Sequence, residues 1–438
     1  MRFRFSVKYL LAIPILCILA LAAYNVPFVH EHLAWRVDNL YARIQYAIHP
    51  PAQAVFLPQE QDLVNQIVQA TLTAAVPTVS PSPTSTLQPT PTHSGITTTP
   101  TITATSTPKP TDIPAHVRLT GIVHEYQKWN NCGPANMAMA LSFWAWKGDQ
   151  LDIASVVKPN PRDKNVMPYE MADFVNGNTS MRAVVRVGGD LDTLKRLTAA
   201  GFPVLIEKGF EGAGFDGWMG HYEVISGYDD AKSTFWVYDS YVGPDTDFTI
   251  PYSEVLFHWQ AFNYIYVLLY PPEREQEVIA LLGSQWDETS NNQYAAQKSS
   301  DEIYSMSDRQ LYFAWFNRGT NLVRLQDYAG AAAAYDEAFA IYPTIPENKR
   351  PWRMLWYQTG PYFAYYYTGR YYDVINLATI TLDAATEPAL EESFYWRGMA
   401  NLALGATDSA IADFQSSLQW HPGFEPSLVQ LQGLGITP

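Results

Sequence analysis

Apolar positions along this chain change rhythm several times, and each rhythm predicts a different kind of element. From about residue 9 to residue 29 they are nearly continuous, in the uncharged run "YLLAIPILCILALAAYNVPFV". About 21 residues at a 1.5 Å rise reach ~32 Å, enough to cross a bilayer core of about 30 Å. Over residues 30–49, Leu33, Trp35, Val37, Leu40, Ile44 and Ile48 recur at near-helical spacing, which predicts a short amphipathic helix. Apolar residues then thin out into the Thr/Ser/Pro tract "VPTVSPSPTSTLQPTPTHSGITTTPTITATSTPKPTD", which cannot bury a core and predicts an extended, disordered spacer. Globular patterning resumes near residue 117. Within it, "NNCGPANMAMALSFWAW" predicts a turn followed by a helix, with Gly133-Pro134 at the entry and Met137, Leu141 and Trp144 on one face. Further on, "YEVISGY" alternates as a strand, Gly227 offers a turn, and "STFWVYDSYVGP" predicts the second strand of a hairpin, with Asp239 near its end.

Charge adds orientation and excludes a partner. Arg2, Arg4 and Lys8 precede the apolar run, so the expectation is an uncleaved signal-anchor with its basic tip in the cytoplasm and everything downstream outside. The competing expectation is a cleaved signal peptide, for which Ala20-Leu21-Ala22 offers a small-residue site. The formal net charge of −15, with its basic residues scattered, argues against nucleic acid as a partner. Hydrophobic content of 47% is ample for sizeable cores. The two cysteines, Cys17 in the apolar run and Cys132, make no disulfide framework and no zinc site of the Cys-x-x-Cys kind. No phosphate-binding G-x-x-x-x-G-K-[ST] occurs, and Asp245 and Asp247 lack the further ligands of a calcium loop, so no cofactor or metal is expected.

Three stretches near the C-terminus align with one another. The first carries Trp315, Gly319, Leu322, Tyr328, Ala331, Tyr335, Ala338 and Pro343; the third carries Phe394, Gly398, Gly405, Ala410, Phe414 and Pro422. The middle copy keeps Gly369, Tyr371 and Ala378 but is degenerate. Small residues let paired helices approach, aromatics fill the gaps, and proline ends the second helix. The pattern resembles the tetratricopeptide repeat. That resemblance implies a short helical solenoid with a concave, aromatic-rich face that binds a protein or peptide partner. Most of the Tyr and Trp side chains are expected to be core.

Cys132 invites a chemical reading. At a helix start, the unpaired N–H groups favour a thiolate, which is the nucleophilic form. A lone cysteine is otherwise more often a small buried hydrophobe. His221, at the head of the alternating strand, supplies a candidate base, and Asp239 at the far end of the hairpin can fix its tautomer. Gln127, five residues before the cysteine, could donate to an oxyanion beside the Cys132 backbone N–H. The "GFEGAGFDGWMGH" stretch, with Asp216 and Trp218, is expected to form a flexible cleft rim.

Taken together, Gln127 with Cys132-Gly133-Pro134, Gly220-His221-Tyr222 with "VISGYDD", and "WVYDSYVGP" resemble the papain-like cysteine peptidases of the bacteriocin-processing, double-glycine leader peptidase group, and more closely its stand-alone bacterial relatives. The resemblance covers residues 119–272, about a third of the chain. It implies Cys132 as nucleophile, His221 as base, Asp239 as its orienting partner and Gln127 in the oxyanion hole. "DSYVGP" replaces the group's usual Asp-Pro, which loosens the Asp239 assignment. The absence of a phosphate loop separates this chain from exporter-coupled members.

The expected organisation is therefore an N-terminal transmembrane helix (1–29), a helical stalk (30–75), a disordered linker (76–117), an α+β papain-like domain (118–273) and an all-α repeat solenoid (300–435). The expected activity is peptide-bond hydrolysis outside the cytoplasm, on a peptide or protein substrate, with the repeats recruiting substrate or a partner. Two other readings stay open: a non-catalytic peptide-binding scaffold, and a thiol transamidase or cell-wall amidase using the same triad.

Overall fold

The computed structural model describes residues 55–59, 113–211, 217–242 and 248–437, with scattered positions between 22 and 48. The expected transmembrane helix, most of the stalk and the Thr/Pro linker lie outside the described residues. Among the described residues no helix is long and apolar enough to cross a membrane.

Seven antiparallel strands form one sheet: β1 (His116–Arg118), β2 (Arg182–Arg186), β3 (Val204–Phe210), β4 (Met219–Asp229), β5 (Thr234–Asp239), β6 (Thr249–Pro251) and β7 (Tyr266–Tyr270). The order is β2-β7-β3-β4-β5-β6, with β1 laid against the far end of β4. Strand β4 reads as buried over almost its whole length, because it is central and covered on both faces. Helices α1 (Cys132–Ser142), α2 (Gln150–Val157) and α3 (Pro168–Asn178) cover one face. Met137, Leu141, Ile153, Met171 and Phe174 pack there against Leu205, Tyr222 and Val224. Helices α4 (Leu191–Ala199) and α5 (Tyr252–Trp259) complete this part of the chain.

Three local expectations are corrected. His221 lies inside β4 rather than ahead of it. Gly227 is not at the turn but at a register shift within β4, where β1 crosses closely: a Cβ there would lie 2.5 Å from the Val117 carbonyl oxygen. Only glycine fits that approach, and the turn falls at residues 230–233 instead. Trp218 is no cleft rim. It is buried and stacked on Phe262 at 5.7 Å, because the helical part of the chain covers it.

Helices α6 (Glu275–Leu282) and α7 (Glu288–Ile303) lead into the repeats. These are α8 (Asp308–Arg324) with α9 (Tyr328–Ile341), α10 (Gly360–Tyr367) with α11 (Tyr371–Asp383), and α12 (Glu391–Ala403) with α13 (Thr407–Trp420), closed by α14 (Glu425–Gly433). Glycines act as spacers within the first and third pairs. A Cβ on Gly319 would lie 2.7 Å from the Tyr335 ring, and one on Gly398 2.7 Å from the Phe414 ring. Pro361 occupies the first turn of α10, where a missing N–H costs nothing. Tyr335, Tyr362 and Tyr365 are core.

The sheet domain and the repeats share one hydrophobic core. Trp218, Ala261 and Phe262 pack in the same cluster as Tyr312, Phe316, Tyr335, Trp356 and Tyr357. Polar contacts fix the register. The Arg353 guanidinium donates to the Trp218 carbonyl (2.7 Å), the Gln358 amide to the Ala261 carbonyl (2.8 Å), and the Asn263 amide to Asn321 Oδ1 (2.7 Å).

Candidate active site

Cys132 is the first residue of α1, and its side chain is half-buried. No side chain caps that helix and no acidic residue sits in its first turn, so the N-terminal N–H groups are left for whatever approaches the cysteine. The preceding turn is fastened from three sides. The Gln150 side-chain oxygen accepts from the Lys128 N–H and the Asn131 amide, both at 2.8 Å. The Gln150 amide donates to the Tyr126 carbonyl at 2.7 Å. Lys158 Nζ donates to the Asn130 carbonyl at 2.8 Å. Asn130 itself adopts φ 48°, the left-handed region that asparagine tolerates.

His221 and Asp239 belong to neighbouring strands. The registers Lys208↔His221 and Glu223↔Asp239 put all four side chains on one sheet face. His221 Nε2 lies 3.0 Å from Asp239 Oδ2, an ion-pair contact. Cys132 adds to the attraction that favours a charged His221 ring. Both His221 and Asp239 are almost fully buried, at 2% and 1% exposure, so their attraction is little screened by solvent. Burial disfavours a charged imidazole. The Asp239 carboxylate and Cys132 outweigh it and push His221 up to about 10. Burial also opposes ionisation of Asp239, but His221, Lys208 and the Tyr241 N–H hold its carboxyl well below the ordinary carboxylate range. The other Asp239 oxygen accepts from the Tyr241 and Val242 N–H groups at 2.7 and 3.0 Å, which fixes the carboxylate plane. Behind this pair, Lys208 and Glu223 form a buried ion pair.

Gln127 reaches the same place from the other side. Its N–H donates to the Ser240 carbonyl at 2.9 Å, and its side-chain oxygen accepts from the Ser240 hydroxyl at 2.8 Å. The Asn136 amide donates to that hydroxyl at 2.8 Å and to the Cys132 carbonyl at 2.9 Å. One chain of hydrogen bonds therefore runs from the helix carrying the cysteine, through Ser240, to Gln127. With its oxygen engaged, Gln127 keeps its amide N–H groups as free donors.

Of the four residues singled out in the sequence, His221 and Asp239 form one buried pair, and Gln127 is linked through Ser240 and Asn136 to the helix that begins at Cys132. Four others were not singled out: Asn136, Ser240, Gln150 and Lys158. Asn136 had a visible signal, as a lone amide in the otherwise apolar run "ANMAMAL". Ser240 had only its place next to Asp239. Burial also holds the Glu207 carboxyl well above the usual carboxylate range. Asp216, Asp245 and Asp247 lie outside the described residues.

Comparison with known proteins places this geometry. Residues 112–267 match the model of the Peptidase_C39 like family, and residues 312–345 match that of the tetratricopeptide repeat. None of the curated proteins matches the chain. Among solved structures, one assigned as a C39-like peptidase from Bacillus anthracis is 17% identical, covering 35% of this chain and 97% of its own, with a TM-score of 0.29. A double glycine motif protease from an AMS/PCAT transporter, solved with the leader peptide, is 18% identical, covering 35% of this chain and 94% of its own, with a TM-score of 0.27. Residues 112–267 thus carry a Peptidase_C39-like domain, followed in the same chain by a tetratricopeptide repeat at residues 312–345.

Proposed function

We propose that the chain hydrolyses peptide bonds through Cys132, His221 and Asp239, with Gln127 in the oxyanion hole. The observation that carries this reading is the buried contact of His221 Nε2 with Asp239 at 3.0 Å, on the strand against which the helix beginning at Cys132 packs. With the shared proton held on His221, the Cys132 thiolate attacks the scissile carbonyl. The oxyanion that forms is met by the Cys132 backbone N–H and the Gln127 amide. His221 then returns the proton to the leaving amine, and water hydrolyses the thioester.

The apolar run at residues 9–29, behind a basic tip, supports a location on a membrane with the peptidase and repeats outside the cytoplasm. The repeats would recruit substrate or a protein partner. The test is a cleavage-site profile of the protein against its Cys132→Ala variant on a peptide library, with alkylation of Cys132 by iodoacetamide followed in parallel. Cleavage present in the first and absent in the second supports the reading. Peptide binding without cleavage of any peptide refutes it, and ammonia release on adding a primary amine reassigns the thiol to transamidation.

A further inference from the structure

The repeats form most of the wall of an apolar cavity, and Phe56 from far upstream in the chain completes it. Phe339 of α9, Tyr342, Trp352, and Leu377, Ile380 and Thr381 of α11 line it. Residues 55–59 run past it without regular secondary structure. Phe56 is 5% exposed there, meeting the Phe339 ring edge-on at 4.9 Å and the Tyr365 ring at 6.1 Å. Val55 packs beside it, whereas Leu57 points outward at 52% exposure. A single aromatic side chain thus anchors an extended segment in a helical groove, with Pro58 next in line.

This segment is covalently tied to the repeats only through residues 59–113, which carry the Thr/Ser/Pro tract, and the whole peptidase domain beyond it. Closing so long a stretch of sequence carries an entropic cost, so a ligand joined in this way is open to competition from outside. Aromatic anchors suit such a role because one rigid ring buries a large area at little entropic cost.

We propose that the groove is a receptor for an extended peptide with a phenylalanine-type anchor flanked by aliphatic residues and proline, and that residues 55–58 are its resident, displaceable occupant. This deepens the partner-binding role proposed for the repeats. It does not depend on catalysis, because its readout is binding.

The experiment uses the full-length protein in detergent and a fluorescein-labelled peptide of residues 52–61, read by polarisation. Phe56→Ala is expected to bind the peptide at least tenfold more tightly than the wild-type protein, since the internal competitor is gone. A peptide with alanine at the Phe56 position is expected to bind neither. Equal affinity for both proteins, or no binding to either, overturns the proposal. A second measurement does not rely on the variant's folding. With p-benzoylphenylalanine at the exposed position 57, light is expected to crosslink the chain to the 339–381 region, and excess peptide to suppress the crosslink. Crosslinking that excess peptide leaves unchanged also overturns it. Either failure would leave cleavage by Cys132 untouched, so the two readings fail separately.

Discussion

Removing the Ser240 hydroxyl tests whether Gln127 is held for a purpose. Ser240→Ala deletes the donor to Gln127 Oε1 and the acceptor for Asn136, each at 2.8 Å, while the backbone bond from the Gln127 N–H to the Ser240 carbonyl remains. The Gln127 amide then turns freely and spends less of its time aimed at the oxyanion. One net hydrogen bond is worth ~0.5–1.5 kcal/mol. At 1.36 kcal/mol per tenfold, kcat should fall roughly 2- to 13-fold, with KM little changed. Gln127→Ala removes the donor itself and should cost about 100- to 1000-fold. Because Ser240 acts through Gln127, the double variant should be no slower than Gln127→Ala alone. Steady-state cleavage of a peptide found by profiling measures all three. Folding stability reports separately: Asn136, fully buried, keeps its bond to the Cys132 carbonyl but loses the other, at about 1–3 kcal/mol. Full kcat in Ser240→Ala beside a hundredfold loss in Gln127→Ala would refute the reasoning, as would losses that multiply in the double variant.

The shared core and its edge give two further tests. A Cβ on Gly220 would lie 2.7 Å from the Phe262 ring and 2.8 Å from the Tyr357 ring. Gly220→Ala should therefore cost about 1–3 kcal/mol by overpacking, seen as a lower Tm, and should reduce kcat because His221 is the next residue. Where the third repeat meets the peptidase domain, Asp163, Glu391 and His421 gather with their polar atoms within 4.8 Å, His421 Nδ1 bonding Glu391 at 2.8 Å. Burial first, then Glu391, raises Asp163; burial raises Glu170 to about 7; the Glu391 carboxylate outweighs burial and raises His421. Each group holds its proton more tightly folded than unfolded, so the stability it contributes is lost as pH rises. Tm should fall between about pH 5 and pH 8, and Asp163→Asn should flatten that slope.

The sequence carried the local part of this fold well. The helix at Cys132 and the hairpin ending at Asp239 follow from turn residues and periodicity, which act over a few positions. The alternation visible in "YEVISGY" starts after His221, yet the ladder to β3 continues back through Gly220 and Met219. The hydrogen bonds around Gln127 were out of reach: Asn136 and Ser240 are 104 positions apart, and nothing in either neighbourhood names the other. Trp218 misled for a different reason. Amid glycines it resembled a loop residue, and an aromatic in a sequence looks the same whether it faces solvent or a second layer. The transmembrane and linker expectations concern residues outside those described.

The core that Trp218 and Phe262 share with Tyr312 and Tyr357 makes the border between peptidase and repeats a border in sequence only. A fragment ending near residue 306 would keep Gln127, Cys132, His221 and Asp239, yet leave those two aromatic rings facing water beside the strand that carries His221. Evolution, like the protein engineer, could not lift this peptidase out and use it alone without rewriting that surface. The repeats are the second half of one cooperative body, and any event that loosens them reaches the cleft.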